Sequence, residues 1–238
     1  MILEHRLYTM KPGNLDTFVD TQKARGFDIM APIMGNCVGY FATIAGPMTQ
    51  MLHLWAFDDL EDWRGRYNQL YTNDALQPYF GIVRPLMLAQ ECRMLIPAPV
   101  AELTPLWGAG ADWRPGQPKV GNLASTPDTI VEEQTLSLLP GSLPKYWEAC
   151  AKHGIAAQAP LADNLLGCFF TLIGSLHQVV HFWRFDNLTD RDRRHAAVAG
   201  SAEGRAFVEA IRPMATGQQS RLTRPVAVPE MSPMFAGL

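Results

Sequence analysis

Eleven residues from Gln50 to Leu60, QMLHLWAFDDL, return as QVVHFWRFDNL from Gln178 to Leu188. Six of the eleven positions are identical, including the rare His and Trp, and the copies stand 128 residues apart. The same offset carries Pro12-Gly13 onto Pro140-Gly141, Gly39 onto Gly167, Gly46 onto Gly174, Arg84-Pro85 onto Arg212-Pro213 and Pro97 onto Pro225. One offset without a gap means one unit written twice, so the fold has to be buildable from that unit taken twice. The period is too long for a stacking solenoid element, and each copy is expected to be a small domain. The boundaries read as repeat 1 over 1–97, a Pro/Gly-rich linker over 98–129, and repeat 2 with a C-terminal tail over 130–238. Trp107 and Trp113 in the linker point to packing on a surface rather than free motion.

Within repeat 1, ILEHRLYTM alternates, with Leu3, His5 and Leu7 on one face and Glu4, Arg6 and Tyr8 on the other, as a strand does. Leu15, Phe18, Val19 and Gln22 follow helical spacing, and Gly26 ends that run. CVGYFATIAGPMTQMLHLWAF reads as two strands joined at Ala-Gly-Pro, with Gly46 and Gly174 supplying a positive φ at the turns. DDLEDWRGRYNQLY is helical, with Asp58 or Asp59 as N-cap; DALQPYFGIVR is a second helical piece that stops before Pro85; LAQECRMLI closes as a strand. The order β-α-β-β-α-β is the ferredoxin-like unit. Such a unit covers one sheet face with helices and leaves the other bare. Two tandem copies solve this by packing their antiparallel sheets face to face, an α+β architecture.

Composition excludes several function classes. A net charge of −3 gives no electrostatic footprint for nucleic acid or anionic membrane. No apolar run is long enough for a membrane span. The N-terminal MILEHRLYTMKPG has no apolar signal core and is not an Arg-rich transit segment, which points to a cytoplasmic protein. Cys37, Cys92, Cys150 and Cys168 form no C-x-x-C pair and never fall at equivalent repeat positions, so they read as reduced and mostly buried. Phosphate loops, nucleophile elbows and dinucleotide fingerprints do not occur, and WGAGADW lacks a strand–helix context, so no cofactor is expected.

Three segments of repeat 1, EHRLYTMKPGNL, GYFATIAGPMTQMLHLWAFDDLEDW and VRPLMLAQECRMLIP, resemble the NIPSNAP family within the dimeric α/β-barrel superfamily. Repeat 1 matches throughout, repeat 2 more loosely, and the linker falls outside the resemblance. The resemblance implies a barrel of two face-packed sheets and makes a homo-oligomer an expectation. It implies no settled reaction, because the family's biochemical activity is unestablished. Related branches of the superfamily include cofactor-free monooxygenases and haem-handling enzymes, an analogy of fold alone.

Candidate site residues follow from polar side chains on strands that a sheet sandwich should bury. Glu4, Arg6 and Tyr8 form a polar stripe, which marks either a pocket or an ion pair that fixes sheet register. Glu91 and Arg93 repeat such a stripe on the last strand and favour the pocket. His53 and Trp55 share a strand face, as do His181 and Trp183; the functional reading places them in a cavity between the sheets, the plain one makes each His a hydrogen-bonded core residue. Two His could meet, but no third ligand repeats beside them, so no metal site is expected. In repeat 2 Arg6 becomes Gln134, Tyr8 becomes Leu136 and Glu91 becomes Gln219, which places any pocket in repeat 1. Arg84-Pro85 reads as a helix end, and Met30, Met34, Met48 and Met51 as gap-filling core. Two functions stay open. One is a barrel that binds a small apolar or aromatic molecule, extending to a cofactor-independent enzyme. The other is a non-enzymatic protein-interaction or scaffold protein.

Overall fold

A computed structural model of the chain describes residues 1–104 and 123–236; Trp107, Trp113 and the WGAGADW stretch lie outside them. Repeat 1 runs β1 (Ile2–Met10), α1 (Leu15–Arg25), α2 (Phe27–Met34), β2 (Asn36–Ala45), β3 (Gln50–Phe57), α3 (Leu60–Thr72), α4 (Gln77–Val83) and β4 (Met87–Pro97). After a two-residue strand β5 (Leu123–Ala124), repeat 2 follows as β6 (Ile130–Leu138), α5 (Leu143–Ala149), α6 (Ile155–Ala157), β7 (Leu165–Ile173), β8 (Gln178–Phe185), α7 (Leu188–Gly200), α8 (Ala202–Ile211) and β9 (Ala215–Pro225). A final strand β10 (Phe235–Ala236) pairs in parallel with β5. The eight long strands close into a barrel in the order β1-β3-β2-β9-β6-β8-β7-β4. This is the duplicated ferredoxin-like barrel that the sequence pattern calls for.

The repeat holds down to single backbone angles. Gly46 and Gly174 turn at φ 117° and 118°, and Thr49 and His177, one further equivalent pair, at 65° and 59°. Non-glycine residues rarely adopt a positive φ. Here both are fixed by neighbours, because the Met10 amide donates to the Thr49 carbonyl and the Leu138 amide to that of His177. A bulge between Cys37 and Gly39 recurs between Leu165 and Gly167. Asp59 caps α3 by accepting from the amides of Glu61 and Asp62, and Asn187 caps α7 in the same place.

Two features depart from the sequence reading. The chain does not leave the helix for good at Gly26: α2 follows at once, burying Phe27, Met30 and Met34 at helical spacing. Gly26 is the joint because the Tyr79 ring packs where a Cβ would sit, 2.7 Å away. Met48 is 61% exposed at the β2–β3 turn, whereas Met30, Met34 and Met51 are buried as expected.

The compact units are also not contiguous in sequence. The first holds Met1–Met94, the described residues that end at Pro127, and the chain from Thr223; the second holds the chain from Leu95 to Leu103 and Asp128–Leu222. The crossover points Leu95 and Thr223 are themselves equivalent positions. In the first unit the Val226 amide donates to the Tyr40 carbonyl, and Val226, Val228 and Met231 join the core of Phe18, Trp55 and Tyr79. In the second the Ala98 amide donates to the Cys168 carbonyl, and Ala98 and Leu103 join the core of Tyr146, Trp183 and Phe185.

Candidate functional site

β1 alternates as its sequence requires, and its Glu4, Arg6 and Tyr8 face is the one covered by helices. Glu4 has no exposed surface. Its carboxylate accepts from Arg6 Nε at 2.8 Å, Trp63 Nε1 at 2.9 Å, Tyr67 OH at 2.7 Å and Cys92 Sγ at 3.3 Å. Trp63 and Tyr67 lie one helical turn apart on α3, so a single helix face delivers both donors. Glu4 is the buried half of an ion pair, and Arg6, only 15% exposed, turns its remaining donors beyond it. Its NH1 donates to Tyr8 OH at 2.9 Å, and its guanidinium carbon lies 4.4 Å from the centre of the Tyr67 ring.

Above this pair lies a cavity of about 260 Å3 within the first unit. Its floor is sheet: Arg6 and Tyr8 from β1, Tyr40 from β2, His53 and Trp55 from β3. Register explains the grouping, because Arg6, His53 and Tyr40 form one rung across three strands. Its roof is helical: Gln22 of α1, Met30 and Met34 of α2, Tyr67 and Tyr71 of α3, Tyr79 and Phe80 of α4, with Arg84 following. The expected position between two sheets is thus corrected. The pocket lies between one sheet and its own helices, because the polar residues of β1 and the His and Trp of β3 point to the helical side.

His53 is the chemically unusual member. Trp55 Nε1 donates to His53 Nδ1 at 3.0 Å, Tyr40 stacks on its ring at 4.7 Å, and Tyr8 meets it edge-on at 4.6 Å. Its Nε2 is buried and has no partner. Burial, then the charge of Arg6 and the nearby His5, push the imidazole pKa well below its usual value, so the ring is neutral. An indole N–H can only donate, so Nδ1 is the acceptor and the proton of the neutral ring sits on Nε2. Burial likewise raises the pKa values of Tyr8, Tyr40 and Tyr67 and keeps them as phenols. Gln22 ties the roof to the floor: its Nε2 donates to Tyr40 OH at 2.9 Å, and its Oε1 accepts from Tyr79 OH at 2.6 Å.

Of the residues singled out in sequence, Arg6, Tyr8, His53 and Trp55 line the cavity, and Glu4 underlies it. Glu91 and Arg93 do not. Glu91 is exposed, and Arg93 NH2 lies 3.0 Å from His5 Nε2 on the opposite sheet face. Alternation separates them: on β4 it is Gln90 and Cys92 that face the helices. Gln22, Tyr40, Tyr67 and Tyr79 were missed, although a comparison of the repeats marks them. Their counterparts are Cys150, Cys168, His195 and Phe207, so the polar set is specific to repeat 1. Arg84, read as a helix end, opens the three-residue turn after α4, stacks on Phe80 and also reaches the cavity.

Repeat 2 keeps the carboxylate and changes its donors. Glu132 accepts from Arg191 Nε and NH2 at 2.9 and 2.6 Å, lies 2.8 Å from His195 Nε2, and also accepts from Ser220 and Gln134. These four residues occupy the positions of Trp63, Tyr67, Cys92 and Arg6. The buried acid is therefore a feature of the fold, and the cation has moved from strand to helix. His181 stacks on Trp183, but the Trp–His hydrogen bond is not made: His181 Nε2 and Trp183 Nε1 are both buried without a partner. Among the described residues no group of three His, Cys, Asp or Glu is arranged to hold a metal ion.

Fold and site together define a duplicated α+β protein built on a closed eight-stranded barrel. The NIPSNAP family profile matches residues 3–102 and 131–229, and the chain belongs to the NIPSNAP family. A NIPSNAP-like domain protein from Burkholderia xenovorans is 35% identical over 42% of this chain and 87% of its own, with a TM-score of 0.40. A NIPSNAP family protein from Agrobacterium tumefaciens is 31% identical over 42% of this chain and 94% of its own, with a TM-score of 0.41. A candidate monooxygenase from Fusobacterium nucleatum, 8% identical, covers 94% of this chain and 92% of its own with a TM-score of 0.61, a likeness of fold. No curated protein matches the sequence.

Proposed function

We propose that this NIPSNAP protein binds a small aromatic molecule in the cavity of repeat 1, between its sheet and its helices. The observation that carries this reading is the buried, unpartnered Nε2 of His53 in an aromatic-walled space. Among the described buried side-chain atoms without a partner, His53 Nε2 is set apart by lining the cavity, where a bound molecule can satisfy it. The volume of about 260 Å3 lies near the roughly 300 Å3 lower end of small-molecule sites, so the ligand is compact. Nothing in this reading needs a cofactor, and it extends to enzymatic chemistry on the bound ring. Cys37, Cys92, Cys150 and Cys168 form no disulfide with one another, which fits a reducing, cytosolic setting. No described helix is long and apolar enough to cross a membrane.

Thermal melting against a panel of one- and two-ring aromatic compounds tests the proposal. Stabilisation by members of the panel, lost in Tyr40→Ala, is the expected result. An unchanged melting temperature across the panel would contradict it. The rival interaction reading rests on Leu172, Ile173 and Leu176, which are 38%, 47% and 59% exposed around the β7–β8 turn. If Leu176→Ser and Ile173→Ser abolish co-purification of a protein partner while aromatic compounds have no effect, that reading replaces the first.

A further inference from the structure

We infer that the ligand presents an acceptor oxygen conjugated to its ring, as a phenol, enol or aryl ketone does, and that His53 Nε2–H and the Tyr8 hydroxyl receive that oxygen. The inference rests on the proposed aromatic-binding cavity and specifies what enters it. Among the described residues that line the cavity, the buried side-chain atom without a partner is a donor, His53 Nε2. His53 Nδ1 is occupied by Trp55, which leaves Nε2–H as the ring's open function. Tyr8 OH accepts from Arg6 and keeps its own proton. Of the two amides along the cavity, Gln22 has its Oε1 taken by Tyr79, and Gln90 is exposed to solvent at the rim. Among the described residues no carboxylate lines the cavity, and the oxygens of Glu4 beneath it are filled by Arg6, Trp63, Tyr67 and Cys92. Arg6 and Arg84 lie along the wall.

A cationic ligand would meet two guanidinium groups and no counter-charge, whereas a plain hydrocarbon would leave the His53 donor unpaired. An oxygen acceptor on a flat ring satisfies the donor and lets the ring lie among Tyr40, Tyr67 and Phe80. Tyr40, stacked on His53, and Trp55, bonded to its Nδ1, hold the imidazole in one orientation. They are positioning residues for the donor. The counterpart in repeat 2 lacks this arrangement, because His181 is not bonded to Trp183 and Tyr8 is replaced by Leu136.

Titration calorimetry of the full chain with naphthalene, 2-naphthol and 2-naphthylmethylamine separates the possibilities. The expected order is 2-naphthol first, tighter than naphthalene by on the order of tenfold, with the amine weakest. His53→Phe should erase the preference for 2-naphthol while naphthalene still binds. In parallel, the 15N resonance of His53 Nε2 in the unaltered protein should move with 2-naphthol and stay with naphthalene, which keeps the test open if the variant does not fold. Equal affinities, a preference for the amine, or an unmoved His53 resonance would overturn the inference and leave the aromatic cavity standing. If none of the three binds, the cavity reading itself falls.

Discussion

Glu4 and Glu132 are fully buried carboxylates held by entirely different donor sets at equivalent positions. A buried charge is tolerated only when its partners are complete, and removing one half of such a pair leaves the other uncompensated. Glu4→Gln would set an amide among donors and strand Arg6. A loss of roughly 3 kcal/mol or more is expected in urea denaturation, and Arg6→Met, which leaves the fully buried Glu4 carboxylate without its cation, should cost at least as much. The histidines set a different signature. Burial lowers His181 to about 4, so the folded state refuses a proton that the unfolded state accepts below the usual 6.5. Stability is complete above 6.5 and falls as pH drops towards 4, by up to about 1.4 kcal/mol per pH unit for each such group. His53 adds to the same slope in the same direction. Glu132, held near 2 because its hydrogen bonds from His195, Arg191 and Ser220 outweigh burial, adds a later loss, from about 4.5 downward. His181→Phe should flatten the dependence between pH 6.5 and 4, and unchanged denaturation midpoints across that window would contradict the assignment. Because His181 Nε2 and Trp183 Nε1 have no partners, this substitution should cost little at pH 7.

At the scale of elements, the segment after β9 supports the cavity of the other repeat. The Val226 amide donates to the Tyr40 carbonyl at 2.9 Å, the Ser232 hydroxyl donates to the Val226 carbonyl at 2.8 Å, and Cys37 Sγ meets the Met231 carbonyl. Truncation after Pro225 removes the buried Val226, Val228 and Met231. Hydrogen exchange should then rise in β2 and α2, far more than in β8 and α7, and aromatic binding should be lost. Uniform loosening of both repeats would contradict that placement. Much of this architecture was legible in the sequence. The strands of repeat 1 and their polar face follow from period-two alternation, the α3 cap from the pair Asp58 and Asp59, and the duplication from one offset. Three things were not legible. Alternation says that Glu4, Arg6 and Tyr8 share a face but not whether that face meets helices or another sheet. Stripe matching placed Glu91 and Arg93 with them because β4 was out of phase by one residue. The exchange of end segments leaves no local mark, since Leu95 and Thr223 lie inside uninterrupted strand patterns.

At the scale of the whole molecule, the two repeats share strand order, turns and bulges and differ in chemistry. Arg6, Tyr8, Gln22, Tyr40 and Tyr79 of repeat 1 face Gln134, Leu136, Cys150, Cys168 and Phe207 at the matching places in repeat 2. One copy keeps the donors and the other keeps the packing. The crossing segments make the halves mutually dependent, so residues 1–97 alone should bind apolar dyes and aggregate; a monomeric, dye-negative fragment in sedimentation would contradict this. On the proposed function, repeat 1 alone carries a ligand cavity, built around His53, and the stoichiometry of 2-naphthol binding by calorimetry tests this in the unaltered chain and in His53→Phe and His181→Phe. One molecule per chain is expected, with tight binding lost in His53→Phe and kept in His181→Phe. Two molecules per chain, or equal effects of the two substitutions, would contradict it.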